Sequence, residues 1–159
     1  MLMGRRGPRR LRAAVVTWVA ALAALIVVSS AAADRPGDTV QSGTIVLRVE
    51  GLPSDNGVVR YGLHASKASF DAAIKAGRGG REGSCEILNG VSDCVIDSVP
   101  YGTYAILVGH DENRDGQISP FRESSGASNY TERLWWYPSF DKAKFEHRSG
   151  RTVVIVRVF

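Results

Sequence analysis

The chain has 159 residues, with 20 Lys and Arg against 16 Asp and Glu and a formal net charge of +4. Arg5, Arg6, Arg9, Arg10 and Arg12 supply five of those 20 basic residues, and residues 1–33 hold no acid, so the remainder carries 15 against 16, a net of −1. The basic excess is thus confined to the N-terminus, which removes the charge argument for nucleic-acid binding. About 126 residues remain after that segment, enough for one domain with one core.

The opening MLMGRRGPRRLR is basic, AAVVTWVAALAALIVV is apolar, and SSAAAD places small residues in an Ala-x-Ala pattern. That order reads as an export signal, with cleavage after Ala33. An uncleaved anchor is the alternative, because the apolar stretch is about long enough for a short span. The paired arginines suggest twin-arginine export, although the rest of that motif is poor. Export places the product in the periplasm or outside the cell. There it would meet a cell-envelope or extracellular partner, with no nucleic acid and no membrane span once the leader is gone.

Residues 34–43, DRPGDTVQSG, read as a flexible lead-in to a domain over 44–159. TIVLRVEGL alternates, with Ile45, Leu47 and Val49 on one face, as a half-buried strand does. PSDNG is a turn. GVVRYGLHA is a second alternating strand, with Val59, Tyr61 and Leu63 inward and Arg60 and His64 outward. SKASFDAAIKAG reads as a short helix, capped by Ser69, favoured at its N-terminus by Asp71, stopped by Gly77, and pinned by Phe70 and Ile74. GRGGREG reads as a loop, because it lacks the strand–loop–helix setting and the Lys-Ser/Thr of a phosphate loop.

The two cysteines lie in SCEILNGVSDC. Asn89-Gly90 is a strong two-residue hairpin signal, since both turn positions need positive φ. It sets Leu88 opposite Val91 and Cys85 opposite Cys94. If the Leu88–Val91 pair is hydrogen-bonded, the cysteines fall on a non-hydrogen-bonded pair, close enough for a disulfide. A redox-active pair or a cysteine zinc site is the weaker alternative, with no Cys-x-x-Cys and only two thiols. Beyond the hairpin, VPYGTYAILVGHDE is apolar on both faces and reads as a central strand. RTVVIVRVF closes the chain with Val154, Val156 and Val158 on one face. The stretch 111–150 is irregular apart from a helical turn at SFDKAKF. Six or seven short strands and one small helix predict an all-β fold, a single antiparallel β-sandwich of immunoglobulin or transthyretin type.

The sharpest chemical signal is HDENRDGQIS at 110–119. Against the calcium pattern D-x-[DN]-x-[DN]-G, Asp111, Asn113, Asp115 and Gly116 match; Gln117 would offer a carbonyl and Ser119 a direct or water-bridged oxygen. Ile118 is the apolar residue that such loops tuck inward. Calcium takes six to eight oxygens, and alternating positions turn them to one centre. Position twelve fails: Arg122 replaces the bidentate Glu, and Pro120 breaks an exiting helix. The loop is EF-like at most, and a metal-free Asx turn explains the same residues. His110 adds a nitrogen that would suit a transition metal.

Trp135, Trp136 and Tyr137 form an aromatic run that would stack on a carbohydrate or other small ligand, or plug one end of a sandwich. His64, His110 and His147 share no spacing, and neither Gly-x-Ser-x-Gly nor a lone reactive Cys occurs, so no catalytic residue is assigned and a hydrolase is the weakest reading. The sequon Asn129-Tyr130-Thr131 is idle behind a leader of bacterial style.

These motifs resemble the exported bacterial proteins grouped as domain of unknown function 2141. The resemblance rests on Pro100, Gly102, Tyr104, Ala105, His110, Asp111, Asn113, Asp115 and Gly116, then Gly126-Ala127-Ser128-Asn129, then Phe140, Ala143 and Phe145. It covers roughly 44–159. Ser119 stands where the family has an acid, which weakens a cation site. The resemblance implies an exported β-sandwich like the carboxypeptidase regulatory or transthyretin domains, and no activity. The expectation is a non-enzymatic binding or scaffolding domain, with calcium on the acidic loop or a ligand on the aromatic run as its chemistry.

Overall fold

A computed structural model describes residues 40–118, 122–132 and 137–159, all within the unit Asp38–Phe159. The leader at 1–33, Ser119, Trp135 and Trp136 lie outside the described residues. Among those described, no helix is long and apolar enough to cross a membrane.

The first strand, β1, spans Ser42–Glu50 and buries Ile45, Leu47 and Val49 as its alternation requires. It starts inside the expected lead-in, at Ser42. β4 (Val91–Pro100) lies antiparallel on one side of β1, and β8 (Arg151–Arg157) lies parallel on the other. β2 (Val58–His64) and β5 (Gly102–Asp111) form the centre of a second sheet. β3 (Arg81–Cys85) extends it on one side, and β6 (Ser125–Ala127) and β7 (Phe145–His147) pair with β5 on the other. The fold is all-β as expected, but not wholly antiparallel, because β1 and β8 run in the same direction.

The two sheets share one core. Leu47, Ile96 and Val156 come from the first, and Val59, Leu63, Ile106 and Val108 from the second. The far face of the second sheet is also covered. There α1 (Lys67–Ala76) and α2 (Phe140–Ala143) bury Phe70, Phe140 and Ala143 against Ala105 and Ala127. This second layer overturns one sequence expectation. His64 does point away from the main core, yet it is only 1% exposed, because its ring lies edge-on to Phe70 of α1.

Three local expectations also shift. Ser66, not Ser69, caps α1, and Ser69 instead bonds His64. Asp71 lies beyond the first turn and pairs with Lys67 one turn back. GRGGREG is only partly a loop, since β3 begins at Arg81. Gly77 does end the helix in the left-handed conformation, φ 69°.

The hairpin forms as read: Leu88 and Val91 exchange both backbone hydrogen bonds around Asn89 (φ 55°) and Gly90 (φ 73°). Asp55 caps both turn amides through its carboxylate, at 3.0 and 2.7 Å. Cys85 and Cys94 are joined, with Cα atoms 5.7 Å apart. They are not a cross-strand pair of one ladder, however. Cys85 pairs with Val59 in the second sheet and Cys94 with Leu47 in the first, so the disulfide ties the two sheets together.

The two later segments of the family pattern fasten to each other. Buried Ser128 accepts from Ile106 N at 2.9 Å and donates to Ala143 O at 2.6 Å. Asn129, in the left-handed conformation that Asn tolerates (φ 60°), donates to Lys144 O at 2.7 Å. The pattern residues thus join α2 to β5. Ser128→Ala leaves two buried backbone groups without this partner, and is expected to cost about 1–3 kcal/mol. Urea unfolding would show a lower midpoint at unchanged slope.

Candidate functional site

Two features share the far face of the second sheet: the acidic loop after β5 and a cleft beside it. Asp111 ends β5 with its side chain fully covered. Its carboxylate accepts from Arg60 Nε at 2.5 Å, from Gly116 N at 3.0 Å and from Asp115 N at 3.0 Å. Burial, the largest single influence, pushes this carboxyl up. The Arg60 hydrogen bond, the Gly116 amide, the Arg60 charge and the Asp115 amide outweigh it together, and hold the carboxyl below its usual range.

The rest of the loop is bonded to itself. Asn113 Oδ1 accepts from Asp115 N, Asn113 Nδ2 donates to Asp115 Oδ2, and Asp115 Oδ1 accepts from Gln117 N. Arg114, at φ 57°, reaches back to Gly57 O and to Glu86. Ile118 turns inward as expected and packs over Gly109, where a Cβ would lie 2.5 Å from its side chain. The missing side chain at Gly109 makes room for Ile118 and so sets the loop against the sheet.

Arg60 is thus paired with the carboxylate that the calcium reading assigns to the loop's first position. Asp115 N donates to both Asp111 Oδ1 and Asn113 Oδ1, and Ser119 falls outside the described residues. Among the described residues, no three His, Cys, Asp or Glu side chains are grouped so that they could hold a metal ion. A divalent ion at Asp111 would have to displace the Arg60 guanidinium.

The cleft has a volume of about 760 Å³. Its floor is the sheet at Gly62, Leu107 and Gly109; its walls are α1 with the Gly77–Gly79 turn and the loop at Gly116–Ile118; Tyr137 and Pro138 stand on its rim. Both floor glycines are packed against their neighbours, Gly109 under the Ile118 side chain and Gly62 under the Gly79 carbonyl and His64. At Gly62 a Cβ would come within 2.5 Å of Gly79 O and 2.9 Å of His64 Nε2.

His64 is the unusual group in this cleft. Its Nδ1 shares a hydrogen with Ser69 Oγ at 3.0 Å, while its Nε2 is buried and has no hydrogen-bond partner among the described residues. Burial pushes the imidazole below its ordinary value, against a smaller upward pull from Glu82. The ring is thus held neutral, with Nε2 sealed in the packing beside Gly62.

The other sequence candidates fall in different places. Tyr137, 72% exposed, stands on the cleft rim, while Trp135 and Trp136 lie outside the described residues. The three histidines do not converge. His110 Nε2 bonds Asn56 O, and His147 sits between Thr152 and Val99 O with Tyr101 and Tyr104 edge-on. Sequence reading missed the cleft. Its available signal was a glycine inside each of two adjacent strands, Gly62 and Gly109, which marks close backbone approach.

A family model described as an uncharacterized protein conserved in bacteria (DUF2141) matches residues 47–155. Neither the comparison with curated proteins nor that with solved structures gave a match.

Proposed function

The chain belongs to the DUF2141 family, and from that premise we propose that it is an exported, non-enzymatic binding domain whose ligand occupies the cleft between α1, the second sheet and the acidic loop. The observation that carries this reading is the cleft itself, about 760 Å³, with Ile74 and Leu107 among its lining residues. Small-ligand pockets are of this order, roughly 300–1,000 Å³, apolar with a few placed polar groups. Export is supported by the leader pattern and by the disulfide, which belongs in an oxidising compartment. The three-stranded sheet facing β3, β2 and β5 over one core supports a sandwich of immunoglobulin or transthyretin type. Arg60 acts as the built-in cation of the acidic loop, which fixes one wall of the cleft without a metal.

The test is a backbone amide titration of oxidised residues 34–159, which hold both cores in full, with a mixed panel of small molecules. Shifts are expected to cluster at Gly62, Gly109 and Gly116–Ile118. Shifts elsewhere, or none, would remove the cleft from consideration.

A further inference from the structure

Away from the cleft, we propose that Asn89 is a latent modification site, which converts itself to isoaspartate through its bond to Gly90, and that the Asp55 carboxylate sets the rate. The chemistry needs no enzyme. Gly90 N attacks Asn89 Cγ and a new N–C bond forms. The Cγ–Nδ2 bond breaks, and that nitrogen leaves as ammonia, carrying the proton that Gly90 N gives up. Water then opens the succinimide at either carbonyl and leaves aspartate or isoaspartate. Asn89 is exposed, and Gly90 has no side chain to hinder its own nitrogen.

The first ground is the hydrogen bond on the attacking atom. Asp55 Oδ1 accepts from Gly90 N at 2.7 Å, and Asp55 Oδ2 accepts from Asn89 N at 3.0 Å. Gly90 N becomes a nucleophile only as it loses its proton. The hydrogen bond holds that proton in place, and the carboxylate repels the negative charge that its loss creates. A carboxylate is far too weak a base to take an amide proton itself. Asp55 therefore slows the attack.

The second ground is the shape of the turn. The succinimide closes only when Gly90 N and Asn89 Cβ lie nearly eclipsed about the Asn89 Cα–C bond, a near-attack geometry. Asn89 at φ 55° and Gly90 at φ 73° make a turn of two left-handed residues, which points that nitrogen away from Cβ. Leu88 and Val91 exchange both backbone hydrogen bonds beneath it and hold the shape. Conversion would matter to the fold. Isoaspartate lengthens the backbone by a methylene and adds a negative charge beside Asp55, close in sequence to the Cys85–Cys94 tie between the sheets.

The experiment incubates oxidised residues 34–159 at mildly alkaline pH, well below melting, and follows each Asn by peptide mass mapping, with enzymatic methylation of isoaspartate as a second readout. Asn56-Gly57 is the chain's other Asn-Gly pair and reports unfolding, since an unfolded chain exposes both pairs alike. Asn89 is expected to convert about a hundredfold more slowly in the native chain than in guanidinium chloride, roughly tenfold from each ground. Asp55→Ala should raise the native rate at Asn89 about tenfold and change Asn56 far less. Equal rates at Asn89 in native and unfolded chains overturn the proposal. An Asp55→Ala rate equal to the native one overturns the role of Asp55 and leaves the turn as the restraint. A variant that speeds Asn56 and Asn89 alike acts through unfolding, which overturns that role too. Should Asp55→Ala not fold, Asp55→Ser gives the same comparison.

Discussion

Arg60→Met is expected to cost the domain about 2–3 kcal/mol at neutral pH, or on the order of 8–15 °C in melting temperature for a domain of this size. Methionine keeps the apolar stem and removes every donor. The fully covered Asp111 carboxylate then retains two loop amides and loses the Arg60 guanidinium. The figure lies below the usual cost of breaking a buried pair because the Arg60 side chain is itself 38% exposed. The pH dependence gives an independent check. In the native chain the Asp111 carboxyl lies below its ordinary value, so its stabilisation is full above about pH 3.9 and is lost as pH falls through the lower folded value. In Arg60→Met, two of the four influences that oppose burial are removed, so the carboxyl moves up. The deficit of the variant should therefore be largest at neutral pH and should shrink below about pH 4. Calcium separates the two readings of the loop. With Arg60 present, ~10 mM Ca²⁺ should move the melting temperature by less than about 2 °C; in Arg60→Met it should recover part of the loss. A native chain that gains about 1.4–2.7 kcal/mol from calcium, as a site of ~0.1–1 mM affinity would, would show that the ion displaces Arg60.

What the sequence carried and what it did not have physical causes. Alternation over β1 and β8 fixes which residues meet the core, because a strand has period two and one wrong register would expose every valine. Asn89-Gly90 fixes its turn because few dipeptides accept two left-handed residues. The disulfide was legible as a bond but not in its architectural role. The hairpin rule pairs Cys85 with Cys94 by counting from the turn, and counting cannot show that the strands part after Leu88–Val91 to join different sheets. His64 was placed outward correctly. What alternation cannot supply is that α1 returns over that face and buries it.

The candidate site divides in the same way. Loop residues Asp111, Asn113 and Asp115 meet in one hydrogen-bonded turn, since a short loop's geometry is local. Its partner was not local. Arg60 lies 51 residues earlier and reaches Asp111 only because β2 and β5 are neighbours, with Arg60 opposite the side-chain-free Gly109. A motif of ten residues holds no record of a guanidinium on the next strand. The cleft is less local still, for it is made by two glycines, a helix and a loop that meet only in the folded sheet.

Cys85→Ala with Cys94→Ala is expected to destabilise by about 2–3 kcal/mol in the chain-entropy picture, and the loss should be uneven. Among the described residues β3 is an edge strand with β2 as its ladder partner, and the disulfide supplies its covalent tie to the first sheet through β4. β1 is held on both sides, by β4 and β8, and its core residues do not depend on that tie. Hydrogen exchange should therefore quicken across Arg81–Cys85 well before it quickens across Ser42–Glu50. Uniform quickening of every strand would mean that the bond acts only through the unfolded chain, and unchanged exchange and melting would mean that the Asp55-capped turn already holds the corner. The consequence reaches the cleft, because Glu82 and Gly83 of β3 line it. A reduced or doubly substituted chain should bind the cleft's ligand more weakly, even where most of the fold survives. Comparing ligand affinity between oxidised and reduced protein tests whether the bond that joins the sheets also holds the site in shape.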